Sequence, residues 1–172
     1  KLLSDLSFSK NFLRKYKPVG FRAPRLFIKK EFFPILSDFG FTYDSSIYGG
    51  RIERIPGTSL LEKPVSATTL FGTVKNVYPQ NLVQSFLRLS IPYGSGFMIN
   101  LLQKKMQDFI NYTNRQKIPA IVFVHPWQLL SYKTDESLKT MIHIPKRLYR
   151  RRINETLEFL LAKNKFVPLG DL

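Results

Sequence analysis

Apolar residues recur at three- and four-residue spacing over residues 2–16, where Leu3, Leu6, Leu13 and Tyr16 mark a predicted helix. It ends before Lys17 and Pro18, because proline restricts the residue preceding it. Residues 19–22 are a short apolar run and predict a buried strand. Residues 30–39 predict a second helix, with Pro34 in or bending its first turn and Gly40 as its C-terminal cap. Residues 41–43 predict another strand, ending at Asp44. Residues 45–57 carry Gly49, Gly50, Pro56 and Gly57 and predict a loop, and residues 59–62 a strand. Residues 63–97 hold three prolines and several aromatics without a clean period. Leu101, Leu102, Met106, Phe109 and Ile110 give residues 99–113 an amphipathic helical pattern. Residues 119–125, Pro-Ala-Ile-Val-Phe-Val-His, are a continuous apolar run of the kind buried on both faces of a parallel sheet. A loop over 131–145, a helix over 147–163 and a short strand over 166–169 complete the chain. Alternation of this kind predicts an α/β fold with a mainly parallel sheet.

With 172 residues, fifteen Phe, eight Tyr and one Trp, the chain has the length and apolar content of one folded domain with a real core. Cysteine is absent, which excludes disulfides and thiolate metal sites and leaves the compartment open, cytoplasmic or cell-envelope. The apolar stretches are too short for a membrane span. The net charge of +15 favours anionic partners or, more simply, a solvated basic face. Its densest run, Lys146, Arg147, Arg150, Arg151 and Arg152, falls in a helix-like segment where such spacing faces water. Charge alone points to nucleic acid, and no nucleic-acid-binding motif accompanies it.

Functional groups in α/β folds gather at the C-terminal ends of strands. Arg22, Asp44 and His125 fall there, and are expected in one cleft at the same end of the sheet. Each has a plainer explanation as a surface cation, a turn cap or a satisfied core imidazole. Three polar groups at strand ends must pair if they are buried together. The two histidines, His125 and His143, lack zinc-ligand spacing. Gly94-Ser-Gly96 precedes a helix but lacks the Gly and Lys of a phosphate loop, and no nucleophile elbow occurs.

Gly20-Phe-Arg-Ala-Pro24, a helix, and then Gly40-Phe-Thr-Tyr-Asp-Ser-Ser46 resemble the middle of a NodB-homology polysaccharide deacetylase, carbohydrate esterase family four. Val122-Phe-Val-His-Pro-Trp127 resembles that family's last catalytic motif. Leu61-Glu-Lys-Pro-Val-Ser66, Gly94-Ser-Gly-Phe97 and Phe166-Val-Pro-Leu169 follow in the order of its exopolysaccharide and cell-wall branch, so the resemblance covers nearly the whole chain. It implies the C-terminal part of a distorted (β/α) barrel and metal-dependent hydrolysis of N-acetyl groups on amino-sugar glycans. It further implies that Arg22 orients and charges a base aspartate and that Asp44 supports the site from behind. Pro24 would shape the groove wall, and the Arg25 backbone N–H would help stabilise the oxyanion. His125 would protonate the leaving amine, and Phe123 and Trp127 would wall the acetyl pocket and substrate groove. Tyr48 stands where the family has Trp, and Phe123 where it has Leu.

The chemistry suits these residue types. Amide hydrolysis passes through an oxyanion that needs a metal or fixed N–H donors, and the departing amine needs a proton that an imidazole can give. The family's first two motifs, which supply the base aspartate and the metal-binding aspartate and histidines, are expected upstream of residue 1. A divalent metal, zinc by resemblance, is therefore expected in the complete domain and none in this chain, which alone is expected to be inactive. The expected partner is an N-acetylated glycan, without nucleic acid or a membrane span. The alternative is a non-catalytic glycan-binding remnant of the same fold, in which Tyr93, Trp127 and Tyr132 could stack on sugar faces, although core packing is the favoured reading of these aromatics.

Overall fold

The computed structural model describes residues 2–69, 72–129 and 153–172. It is a mixed α/β structure with mainly parallel strand pairing. The chain divides into two compact units, residues 1–92 with 168–172, and residues 93–167.

The first unit opens with two short helices, α1 (Leu2–Phe8) and α2 (Lys10–Tyr16), in place of one continuous helix. Leu6 is buried and Leu13 partly so, whereas Leu3 and Tyr16 are exposed, so the helical period does not mark a single core-facing stripe. Lys17 closes α2 in the left-handed conformation before Pro18. Strand β1 (Gly20–Phe21) follows, then helix α3 (Phe33–Asp38), preceded by a tight turn at Lys30–Phe32 and carrying Pro34 in its first turn as expected. Gly40, with φ 86°, supplies the positive φ that ends α3.

Five short strands follow: β2 (Tyr43–Asp44), β3 (Tyr48–Gly49), β4 (Glu53–Arg54), β5 (Leu61–Glu62) and β6 (Val65–Ser66). Residues 45–57, predicted as loop, thus contain β3 and β4; two-residue strands are too short to show alternation. β7 (Thr68–Thr69), β8 (Gly72–Thr73) and helix α4 (Leu82–Leu87) occupy the region without a clean period. The main sheet has the order β1-β2-β5-β4, with β1, β2 and β5 parallel and β4 antiparallel. No barrel closes among the described residues. Leu6, Ala23, Ile28, Phe33, Leu36, Phe41, Ile47, Ile55 and Leu60 form the core beside this sheet, with Tyr78 edge-on to Phe33 at 4.9 Å between ring centroids.

The second unit contains α5 (Gly96–Leu102), α6 (Met106–Arg115), α7 (Pro126–Leu129) and α8 (Ile153–Lys163). The helix predicted over 99–113 is broken at Gln103, whose φ of 51° and ψ of −133° cannot continue a helix. Met106, Ile110 and Thr113 form the buried face of α6, and Ile153, Thr156 and Leu160 that of α8. A reciprocal amide pair joins the two helices. Gln107 Nε2 donates to Asn164 Oδ1 at 2.9 Å, and Asn164 Nδ2 donates back to Gln107 Oε1 at 2.7 Å.

Two strand expectations fail. Among the described residues the apolar run 119–125 makes one bridge, Phe123 to Ser95, in parallel sense, and no ladder. Its composition drives burial, and Ile121 is buried, but a strand also needs a neighbour to pair with. Residues 166–169 are not a strand either: Phe166 and Val167 are exposed, and a tight turn occupies Leu169–Asp171. The loop predicted over 131–145 lies outside the described residues, as do residues 147–152 of the last predicted helix.

Candidate functional site at the strand ends

The three parallel strands run in register. Gly20 lies opposite Tyr43 and Tyr43 opposite Leu61, so Phe21, Asp44 and Glu62 form the next row. Arg22, Ser45 and Lys63 then follow at the C-terminal ends, where the ladder continues from Ser45 N to Phe21 O at 2.9 Å and from Lys63 N to Asp44 O at 2.8 Å. Arg22 and Asp44, singled out from the sequence, are thus brought together. Asp44 lies inside β2, not after it.

Ser45 and Ser46 knit the strand ends. Arg22 Nε donates to Ser45 O at 2.9 Å and Arg22 Nη2 to Ser45 Oγ at 2.7 Å, while Ser45 Oγ donates to Lys63 O at 2.6 Å. Ser46 donates twice to Asp44, from N to Oδ2 at 2.9 Å and from Oγ to Oδ1 at 2.6 Å. Ser46 Oγ also accepts from Ala23 N at 2.7 Å, which anchors the chain leaving β1.

Asp44, Ser45, Ser46 and Glu62 are all fully buried. Burial pushes the Asp44 carboxyl above its ordinary range, opposed by the Ser46 hydrogen bonds. Burial and then the Asp44 charge push Glu62 well above its own. Asp44, Glu62 and Tyr78 are close enough to shift one another's titration, and burial raises the Tyr78 phenol. Even so, both Glu62 oxygens and the Tyr78 hydroxyl lack a partner in hydrogen-bonding geometry among the described residues. Burial also works against the charge on Arg22, and Asp44 is the largest influence restoring it. Lys63 extends its ammonium over the Tyr43 ring at 4.4 Å and donates to Leu169 O at 2.9 Å, holding the C-terminal turn on this unit.

Pro24 and Arg25 stand exposed in the turn after Ala23. Arg25 and Leu26 both adopt positive φ, 60° and 50°, a conformation that non-glycine residues hold only under constraint. The Ala23 anchor and the buried Leu26 side chain supply that constraint.

His125 belongs to the second unit, where it is exposed and is the residue before α7. Pro126 opens that helix, and Gln128 reaches back to accept from His125 N at 2.8 Å, as in a capping box. Gln128 is buried against Gly96, where any Cβ would collide with its carboxamide. Ser95 caps α5 by accepting from Met98 N at 3.3 Å. The Gly94-Ser-Gly96 segment therefore caps a helix and leaves room for Gln128. Phe123 is partly buried and meets His125 edge-on at 5.4 Å between centroids. The Trp127 side chain and Tyr132 lie outside what is described. Tyr93 is fully buried, stacked on Phe109 at 5.5 Å and bonded to Thr113 at 2.9 Å, which makes it a core residue and not a sugar platform.

Sequence reasoning missed Glu62, Ser45, Ser46 and Gln128. Glu62 ends a predicted strand as Asp44 does, and Gln128 stands three residues after His125 with Pro between them; both signals were present. Among the described residues no three His, Cys, Asp or Glu side chains gather to hold a metal. Compared with protein families, with curated proteins and with solved structures, the chain matches none.

Proposed function

We propose that this chain is the C-terminal part of a polysaccharide deacetylase domain, a carbohydrate N-deacetylase acting on amino-sugar glycans and built on a distorted (β/α) barrel. The observation that carries this reading is the meeting of Arg22 and Asp44 at the C-terminal ends of neighbouring parallel strands, joined through Ser45 and Ser46. The strained turn at Arg25 adds support, because such backbone outliers concentrate at working sites.

In this reading the buried network sets charge and orientation. Arg22 presents a cation held by Ser45, with Asp44 as its counter-charge. The exposed Pro24-Arg25 turn offers backbone and ring to the substrate. The exposed imidazole of His125, its backbone pinned by Gln128 and its ring edge-on to Phe123, gives a proton to the amine nitrogen as the C–N bond breaks. The divalent metal of the family would polarise the acetyl carbonyl. Among the described residues no cluster forms its ligand set.

The test is acetate release from N-acetylglucosamine oligomers by the protein that carries this chain. His125→Ala is expected to lower amide hydrolysis by about 10²–10⁴-fold, with metal content unchanged and a smaller loss on an activated ester, whose leaving group needs no proton. Arg22→Ala is expected to slow both substrates. Equal, mild losses on amide and ester for His125→Ala overturn its role as proton donor. Glycan binding without acetate release favours the non-catalytic alternative.

A further inference from the structure

Strand register puts Asp44 and Glu62 side by side on neighbouring parallel strands. Strands in a sheet lie roughly 4.8 Å apart, so the two carboxyls share one small buried space. Both residues are fully buried. Two adjacent anions without solvent repel each other and lose hydration together, so one carboxyl keeps its proton.

Hydrogen bonding decides which one. Asp44 accepts from Ser46 through both oxygens, at 2.9 and 2.6 Å, and such donors stabilise the anion. Glu62 has no donor on either oxygen among the described residues. Among the groups acting on it from neighbouring elements, the Asp44 charge, which pushes Glu62 up, outweighs the Tyr78 hydroxyl, which opposes it. Asp44 on β2 and Glu53 on β4 are acids, and Tyr78 is a phenol kept neutral by burial. Arg22 also acts within range of Glu62, but its stronger attraction is to Asp44. We infer that Glu62 is a positioning residue of this site: a neutral carboxyl that leaves one negative charge, on Asp44, within electrostatic range of Arg22.

The catalytic part of this inference rests on the deacetylase reading; the protonation of Glu62 does not. The folded protein holds a proton on Glu62 that the unfolded chain releases above pH 4.5, the ordinary value for this residue. Stability fully present below that value is lost as pH rises towards the folded titration point. Each proton released on unfolding raises the unfolding constant by up to about tenfold per pH unit.

The experiment follows urea unfolding of the protein from about pH 5 to about pH 8, for wild type and Glu62→Gln, with infrared spectra of both. Gln imitates the neutral acid in size, so the variant should fold, lose Glu62's part of the pH slope and lose a protonated-carboxyl band seen in the wild type. An unchanged slope overturns the inference. So does a wild-type spectrum without that band, which remains decisive even if Glu62→Gln fails to fold. For the positioning role, Glu62→Gln, neutral at every pH, should keep wild-type acetate release where Glu62 is protonated and lose the alkaline fall that its ionisation causes; activity lost at acid pH, or that fall left intact, overturns it. A wild type that releases no acetate sinks the deacetylase reading and leaves the unfolding and infrared results to judge Glu62 by themselves.

Discussion

Ser46→Ala removes one hydroxyl that serves two buried groups. The Ser46 oxygen accepts from Ala23 N at 2.7 Å and donates to Asp44 Oδ1 at 2.6 Å, with Ser46 and Asp44 fully enclosed. Leaving a buried N–H unpaired costs about 1–3 kcal/mol, and a hydrogen bond to a charged group is worth about 1.5–3 kcal/mol. Both losses come from one atom and the site relaxes in part, so the expected destabilisation is about 2–4 kcal/mol, not the full sum. Urea unfolding followed by circular dichroism measures it. For a slope of about 2 kcal/mol per molar urea, the midpoint should fall by roughly 1–2 M at neutral pH. The effect should also depend on pH with a definite sign. Burial raises the Asp44 carboxyl and the Ser46 bonds oppose that rise, so Ser46→Ala lifts it further. The penalty is therefore full where Asp44 is ionised and shrinks on acidification, because a protonated Asp44 no longer needs the donor. A midpoint shift under about 0.3 M at neutral pH, or a penalty that grows on acidification, would refute the network as described.

Gly49→Ala should destabilise by about 2–4 kcal/mol in the same assay. Its Cβ would collide with Asn76 Oδ1 and come within 2.9 Å of Pro64 Cβ, dislodging the amide that bridges Gly50 N and Arg51 O. Tyr93→Phe should cost about 0.5–1.5 kcal/mol, because Thr113 already donates to helix carbonyls and relies on the Tyr93 hydroxyl as its donor. Glycan binding by that variant should equal wild type, and a weakened affinity would return Tyr93 to the substrate surface. His125→Ala should change thermal stability by less than about 0.5 kcal/mol, since the side chain is exposed and the bond to Gln128 comes from the backbone; a larger loss would mark the imidazole as structural.

What could be read from the sequence was position along the chain, and what could not was position across it. Arg22 and Asp44 were legible because each ends an apolar run, and in parallel strands that location is shared by construction. Helix stops were legible for the same local reason: Lys17 before Pro18, Pro34 in a first turn and Gly40 at positive φ are decided by their own backbones. The run at 119–125 misled because apolar, β-branched composition reports burial, and pairing depends on what arrives alongside. Residues 166–169 misled similarly: what fixes that end of the chain is a bond from Lys63 Nζ to Leu169 O, across a sequence separation of 106.

Glu62 is the clearest case of chemistry made by register. Between Leu61 and Lys63 it has the look of an ordinary surface charge, and only its place at the end of a predicted strand marks it. The pairing of β2 with β5 sets it beside Asp44, and the pairing of β1 with β2 sets Arg22 one step beyond that row. A slip of one residue in β5 would turn Glu62 to the opposite face and bring Leu61 or Lys63 beside Asp44. An apolar neighbour there would leave Asp44 as the only carboxyl of the row, and an ammonium would neutralise it; either would change the charge acting on Arg22. The acidic row is thus specified by strand register, which the burial of Ile47, Leu60 and Val65 around these strands enforces, and not by any motif of adjacent residues.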